Sequence, residues 1–198
     1  MACTALTKGR GLDCNRISGG VKFIYFAVFD QVISTTIGTG ADKGSITDIN
    51  MGLNGTAPAE LYRYALPNGV TSINDTVVGS RENGTIYYTP TANVVFNRLT
   101  KEDQNEVKLL GATKTIIFAQ LNQQILGTGH DVIVCLGRGQ GMEMNAGTID
   151  SGAAWGDRNG YTMTFDGMEQ DPFYMVQDYT LTPFDNIDGG TQIPITAV

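Results

Sequence analysis

The sequence predicts a mainly β protein: a β-sandwich or barrel with one flanking α-helix and extended N- and C-terminal arms. Three observations predict it. Apolar residues fall in short runs rich in Val, Ile, Phe and Tyr, divided by Gly, Asn, Pro and Thr. Glycine supplies 25 of 198 residues without a collagen-like period. A helix-start signal stands in one place alone, at Thr100. The length fits a single domain, 1–198, divided into an arm at 1–20, a core at 21–182 and a second arm at 183–198.

In chain order, residues 1–20 are polar and glycine-containing, with Lys8, Arg10 and Arg16 among them. Residues 21–34 (VKFIYFAVFDQVIS) are β-branched and aromatic, apolar on both faces, and read as one strand. Gly and Thr then mark 35–45 as a loop, and 46–51 as a short strand. Residues 60–66 (ELYRYAL) form a strand that stops before Pro67-Asn68-Gly69. Asn68-Gly69, Asn83-Gly84 and Asn159-Gly160 are turn signals, because both residue types tolerate positive φ. Residues 85–99 are extended, with Pro90 assigned to an edge or a bulge. Thr100 caps a helix over 101–110, Glu102 and Asp103 favour its first turn, and Gly111 ends it. Its narrow apolar stripe suits a helix lying on a sheet. Strands follow at 115–121 and 131–136, with 141–145 extending the latter, then at 161–165 and 172–177. Roughly eight strands and one helix make a sandwich or barrel.

Charge and cysteine usage exclude several classes. The 13 basic and 20 acidic residues leave a net charge of −7, and clustered cations for wrapping nucleic acid are lacking. Charged residues are 17% of the chain, below the roughly 25% usual for soluble domains, while 41% are hydrophobic, so a packed core is expected. The longest apolar run is too short to span a bilayer, and no charged leader with an apolar segment opens the chain. Cys3, Cys14 and Cys135 are odd in number and lack CxxC spacing, which suits a reducing cytoplasm.

Local motifs give little chemistry. His130 is the single histidine and has no GxSxG or HExxH neighbour, and one His with three scattered Cys lacks metal-ligand spacing. Gly137-Arg138-Gly139-Gln140-Gly141 resembles a phosphate loop but lacks the Lys-Ser/Thr ending and precedes a strand, so it reads as a turn. Glu102/Asp103 and Glu169/Asp171 read as a helix start and a turn rather than as acid/base pairs. Trp155, Tyr161, Phe173 and Tyr174 are close enough in sequence to suggest an aromatic sugar platform, against which core or subunit packing is the commoner fate. No cofactor, metal or catalytic residue is expected. The acidic balance reads first as outward charge that aids solubility, and second as carboxylates lining a channel through which DNA passes without adhering.

Several stretches, taken in order, resemble a known family. These are Thr7-Lys8-Gly9-Arg10, Cys14, Gly19-Gly20-Val21-Lys22, Ser80-Arg81-Glu82-Asn83-Gly84-Thr85, the helical KEDQNEVKLL at 101–110, and GDRNGYTMTF at 156–165. Together, over roughly 7–176, they resemble the virion structural proteins of tailed phages of Bacteroidota-like hosts, in particular tail tube proteins. The resemblance implies a β-sandwich or barrel flanked by a helix, assembled as stacked hexameric rings around a DNA conduit, in a virion tail built in the host cytoplasm. The implied partners are copies of the same chain, other tail proteins and passing genomic DNA, with no membrane. It implies that the arms at 1–20 and 183–198 and the loop at 35–45 clasp neighbouring rings. Asp42, Asp48, Glu143 and Asp150 become candidate lumen or interface carboxylates, and Lys8, Arg10 and Arg16 candidate inter-subunit ion-pair residues. Baseplate, tail-terminator and capsid-decoration proteins, or a carbohydrate-binding sandwich, are the alternatives.

Overall fold

The computed structural model describes residue 10 and residues 18–197, so Lys8 and Arg16 lie outside the described residues. The run expected as one strand over 21–34 is two. Strand β1 (Val21–Val28) ends in a 3-10 turn at Phe29–Gln31, and β2 (Val32–Ile37) follows. β3 (Ser45–Met51) pairs back on β2, with Thr35 opposite Ile49 and Thr36 opposite Asp48. Residues 35–45 are therefore the end of a strand and a hairpin turn, not a free loop. A ribbon of β4 (Leu53–Asn54) and β5 (Ala57–Pro58) leads to β6 (Leu61–Ala65), antiparallel to β1.

β7 (Ser72–Ser80) has no counterpart in the sequence expectations. It pairs along its whole length with β8 (Thr85–Asn97), across the Asn83-Gly84 turn. Helix α1 spans Lys101–Leu110 as expected. Thr100 Oγ1 accepts from Asp103 N at 3.0 Å and Gly111 is the C-cap, with Leu110 buried beneath the helix. β9 (Thr115–Gln124) and β10 (Asp131–Leu136) follow. Residues 141–145 do not extend β10. Gly137 and Gly141, at φ of 75° and 77°, turn the chain into β11 (Glu143–Asp150) of a different sheet. β12 (Gly160–Asp166), β13 (Tyr174–Val176) and β14 (Ile195–Ala197) complete the order.

The strands form an eight-stranded sheet, β14-β6-β1-β9-β10-β13-β3-β2, and a four-stranded sheet, β11-β12-β8-β7, beside the small ribbon. β1 and β2 stand third and eighth in the larger sheet yet are joined by three residues, so that sheet curls back on itself. Its outer strands β14 and β2 do not pair, so no barrel closes. The protein is thus mainly β with one helix.

Two cores lie on either side of the eight-stranded sheet. Between the sheets, Ile24, Phe26, Ile117 and Val134 meet Val94, Phe96, Met163 and Phe165, with Leu110 of α1 at the margin. On the opposite face, Tyr25, Phe118, Ile133 and Cys135 meet Ile46, Ile49 and the C-terminal residues Phe184, Ile187 and Ile193. Central strands buried on both faces explain the unalternating apolar runs in the sequence. They also correct the expectation for 183–198. Phe184 packs edge-on to Tyr25 and Phe118 at 5.0 and 5.3 Å, and β14 pairs in parallel with β6, so the segment lids the second core instead of extending as an arm. Pro90 sits in a central strand rather than at an edge. It is tolerated where the register of β12 ends at Asp166, and its carbonyl accepts from Gly167 N at 3.2 Å.

One polar chain crosses this apolar interior. Tyr25 hydroxyl donates to Gln120 Oε1 at 2.8 Å, Gln120 Nε2 donates to Asp131 Oδ2 at 2.7 Å, and Lys22 Nζ reaches the same oxygen at 2.8 Å. Burial, the largest influence, pushes the Tyr25 hydroxyl up to about 12, so it stays a donor throughout the physiological range. Asp131→Ala is expected to cost about 1–3 kcal/mol in chemical denaturation, the penalty of an unpartnered buried amide. Half-exposed Lys22 turns to water and adds little. A loss below about 0.5 kcal/mol would show that the chain contributes nothing net.

Candidate functional site

The four-stranded sheet has two unlike faces. Alternation sends Ala92, Val94 and Phe96 of β8, and Tyr161, Met163 and Phe165 of β12, into the core. The cross-strand register places the remaining side chains on the solvent face. They include Ser72, Asn74 and Thr76 of β7, Thr89, Thr91 and Asn93 of β8, and Thr162, Thr164 and Asp166 of β12. β11 adds Glu143 opposite Asp166, Thr148 opposite Thr162, and Asp150 opposite Gly160. None of these strand residues is basic. Lys114 stands 3.6 Å from Glu143 at one end, and Arg158 donates to Thr162 Oγ1 from the other. The result is a hydroxyl- and amide-rich surface carrying three carboxylates, with Val78, Tyr87 and the buried Val95 in the same rows.

Both edges of this sheet are unpaired among the described residues, since β7 and β11 are its outermost strands. Each edge exposes a β-branched apolar side chain on the core-side parity. These are Val77, 59% exposed, and Ile149, 61% exposed. Long unpaired edges of this kind are templates for strand addition, here with Asp75 on β7 and Glu143 and Asp150 on β11 placed along them.

The β11–β12 connection is a structured loop. Asp157 accepts from the backbone amides of Ala153 and Ala154 at 3.0 and 2.7 Å, and Asp150 accepts from Gly152 N at 2.9 Å. Trp155 sits inside this frame and is fully exposed. The amides of Ala154 and Ala153 hold the Asp157 carboxyl below its ordinary value. A depressed pKa stabilises the loop above the unfolded value and is lost as pH falls through the folded one. Loop amides are therefore expected to lose protection, relative to the intrinsic exchange rate at each pH, only in acid, below the usual carboxylate range. Unchanged protection factors from neutrality down through that range would contradict this.

The residues singled out in the sequence divide between distant places. Glu143 and Asp150 share the solvent face of β11. Asp42 lies in a 3-10 turn at the β2–β3 hairpin, and Asp48 accepts from Gly189 N at 2.8 Å, so these two belong to the other sheet. Arg10 is exposed. Asp166 was not singled out, although the alternation of Tyr161, Met163 and Phe165 implies its outward direction.

Other candidates have structural partners. His130 Nδ1 lies 2.8 Å from Asp178 Oδ1, with its ring stacked on Tyr179 at 4.4 Å. The glycine loop at 137–141 carries its own anion, since Gly139 N and Gln140 N donate to the Glu169 carboxylate at 3.0 and 2.8 Å. Burial pushes the Cys135 thiol far up, away from thiolate chemistry. The four aromatics do not form one platform, because Tyr161 is buried in the core. Among the described residues, no three His, Cys, Asp or Glu side chains gather as a metal site. No family model, curated protein or solved structure matches this chain.

Proposed function

We propose that this protein is a tail tube subunit of a tailed phage, a non-enzymatic building block whose rings stack into a DNA conduit. The observation that carries the reading is the four-stranded sheet. It is core-packed on one face, polar and acidic on the other, and unpaired at both edges. Its four strands alternate in direction, so β7 of one copy meets β11 of the next in antiparallel sense and the sheet continues without a break. Repetition around a ring hides every such edge, which is how closed β-assemblies avoid uncontrolled pairing. Hexameric rings, as in the family the sequence resembles, present the hydroxyl and carboxylate face to the lumen. Glu143, Asp150 and Asp166 then repel phosphates, and passing DNA finds little to hold it. The partners are further copies, other tail proteins and the genome in transit, in the virion after assembly in the host cytoplasm.

Electron microscopy of the purified chain at rising concentration tests this directly. Hollow tubes with a regular axial repeat are the expected result. Isolated rings would favour a terminator or baseplate component, and a persistent monomer would overturn self-assembly.

A further inference from the structure

We infer that the Trp155 loop of one copy docks in a groove beside helix α1 of a second copy, joining subunits end to end. The groove, about 280 Å³, lies between α1 and the end of β1, walled by Val28, Tyr62, Tyr64, Leu109 and Leu110. Leu109 is 59% exposed, an apolar wall without a cover in the single chain. Glu106 stands at the rim, and burial together with the charges of Glu106 and Asp103 pushes the Tyr64 hydroxyl up to about 12. The groove thus presents apolar walls and a negative lip.

The β11–β12 loop is its complement. Trp155 is fully exposed, next to Ala153 and Ala154 whose backbone amides donate to the Asp157 carboxylate, and Arg158 follows three residues later. A rigid aromatic anchor with an adjacent guanidinium is the composition of an interface hot spot. Because the loop is ordered before contact, docking loses little conformational freedom.

Trp155 projects from one end of the sheet, and the groove runs along the flank from Tyr64, stacked on Phe96 at 5.1 Å, toward the other end. Thr115, which lines the groove, pairs with Met142 just before β11 starts, whereas Trp155 follows the end of β11. Eight strand residues separate those ends, about 26 Å at 3.3 Å per residue. The contact joins two unlike patches of the chain, so it can pass from copy to copy in an open series. Under the tube reading, on which this one point rests, sheet edges close the ring and strand ends join successive rings.

Trp155 is the only tryptophan, so its emission reports the contact. Emission of the wild-type chain is expected to shift to shorter wavelength as concentration rises, in step with light scattering. Leu109→Asp, at an exposed position, is expected to weaken end-to-end association about 30-fold or more and keep the emission of exposed tryptophan. Arg158→Glu and Glu106→Arg should each weaken association, and an equimolar mixture of those two variants should recover part of it. Rings or tubes whose tryptophan emits as fully exposed would overturn the docking and leave the tube reading standing. A Leu109-dependent shift in particles that are not rings would uphold the docking and overturn the tube. Exposed emission from a monomer at every concentration would overturn both.

Discussion

Val77→Lys and Ile149→Lys are each expected to abolish ring formation and leave the circular dichroism spectrum of the subunit unchanged. Both positions are exposed in the single chain, one on each free edge, so the fold does not depend on them. Pairing β7 with a neighbour's β11 brings these edges together, and a lysine there sets a strongly hydrated charge into a strand seam. The two variants act on opposite edges, so mixing them yields another outcome. A Val77→Lys subunit retains an intact β11, and an Ile149→Lys subunit an intact β7. Such a mixture forms a pair through the two healthy edges and stops there. In a Leu109→Asp background, which removes the end-to-end contact, size-exclusion chromatography should show a mixed dimer where neither variant alone departs from monomer. Rings from either variant alone would refute edge pairing.

Gly160→Ala is expected to be the most damaging small substitution to the fold. A Cβ at this position meets Phe96 O at 1.9 Å and Asn97 Cα at 3.0 Å, both backbone atoms that cannot swing aside. Gly160 opens β12 opposite Asn97, and its neighbour Tyr161 is buried, its hydroxyl donating to Thr100 O at the start of α1. Relieving the clash separates β12 from β8 and disturbs the helix start together. The expected loss is about 3 kcal/mol or more in urea unfolding, a large part of a typical domain's 5–15 kcal/mol. Gly156→Ala, where a Cβ has nothing within 4 Å, is the control and should change stability by less than about 0.5 kcal/mol. Equal behaviour of the two variants would refute the steric account.

Much of the fold was legible because the residues concerned carry their own signal. Thr100 with Glu102 and Asp103 marks α1, and the β-branched runs of β8, β9 and β10 mark strands wherever they pair. β7 was illegible for the opposite reason. It buries little beyond Ile73, and what makes it a strand is the full-length pairing offered by β8. The segment at 183–197 looked like an arm because its core residues, Phe184, Ile187 and Ile193, follow no helical or strand period. They are spaced by the curvature of the sheet they cover, which only the assembled structure supplies. The candidate surface was half legible. Glu143 and Asp150 were singled out by charge, but charge alone does not distinguish their sheet from that of Asp42 and Asp48. In the sequence Trp155 reads only as one of four aromatics of a sugar platform, because its exposure depends on a loop framed by Asp157.

The separation of the two sheets along the chain sets the order in which they mature. The four-stranded sheet is built largely from two hairpins, β7–β8 and β11–β12, whose strands are sequence neighbours. The curled sheet is closed by contacts between remote residues: Lys22 and Asp131 are 109 positions apart, and Asp48 and Gly189 are 141 apart. Hairpins form in about 1–10 μs, whereas folds ruled by such remote contacts take milliseconds to seconds. The hairpins are consequently sampled early and stay marginal until the body on which they pack has formed. Neighbouring immature chains then compete with each chain's own completion, and the yield of soluble subunit falls as the rate of synthesis rises.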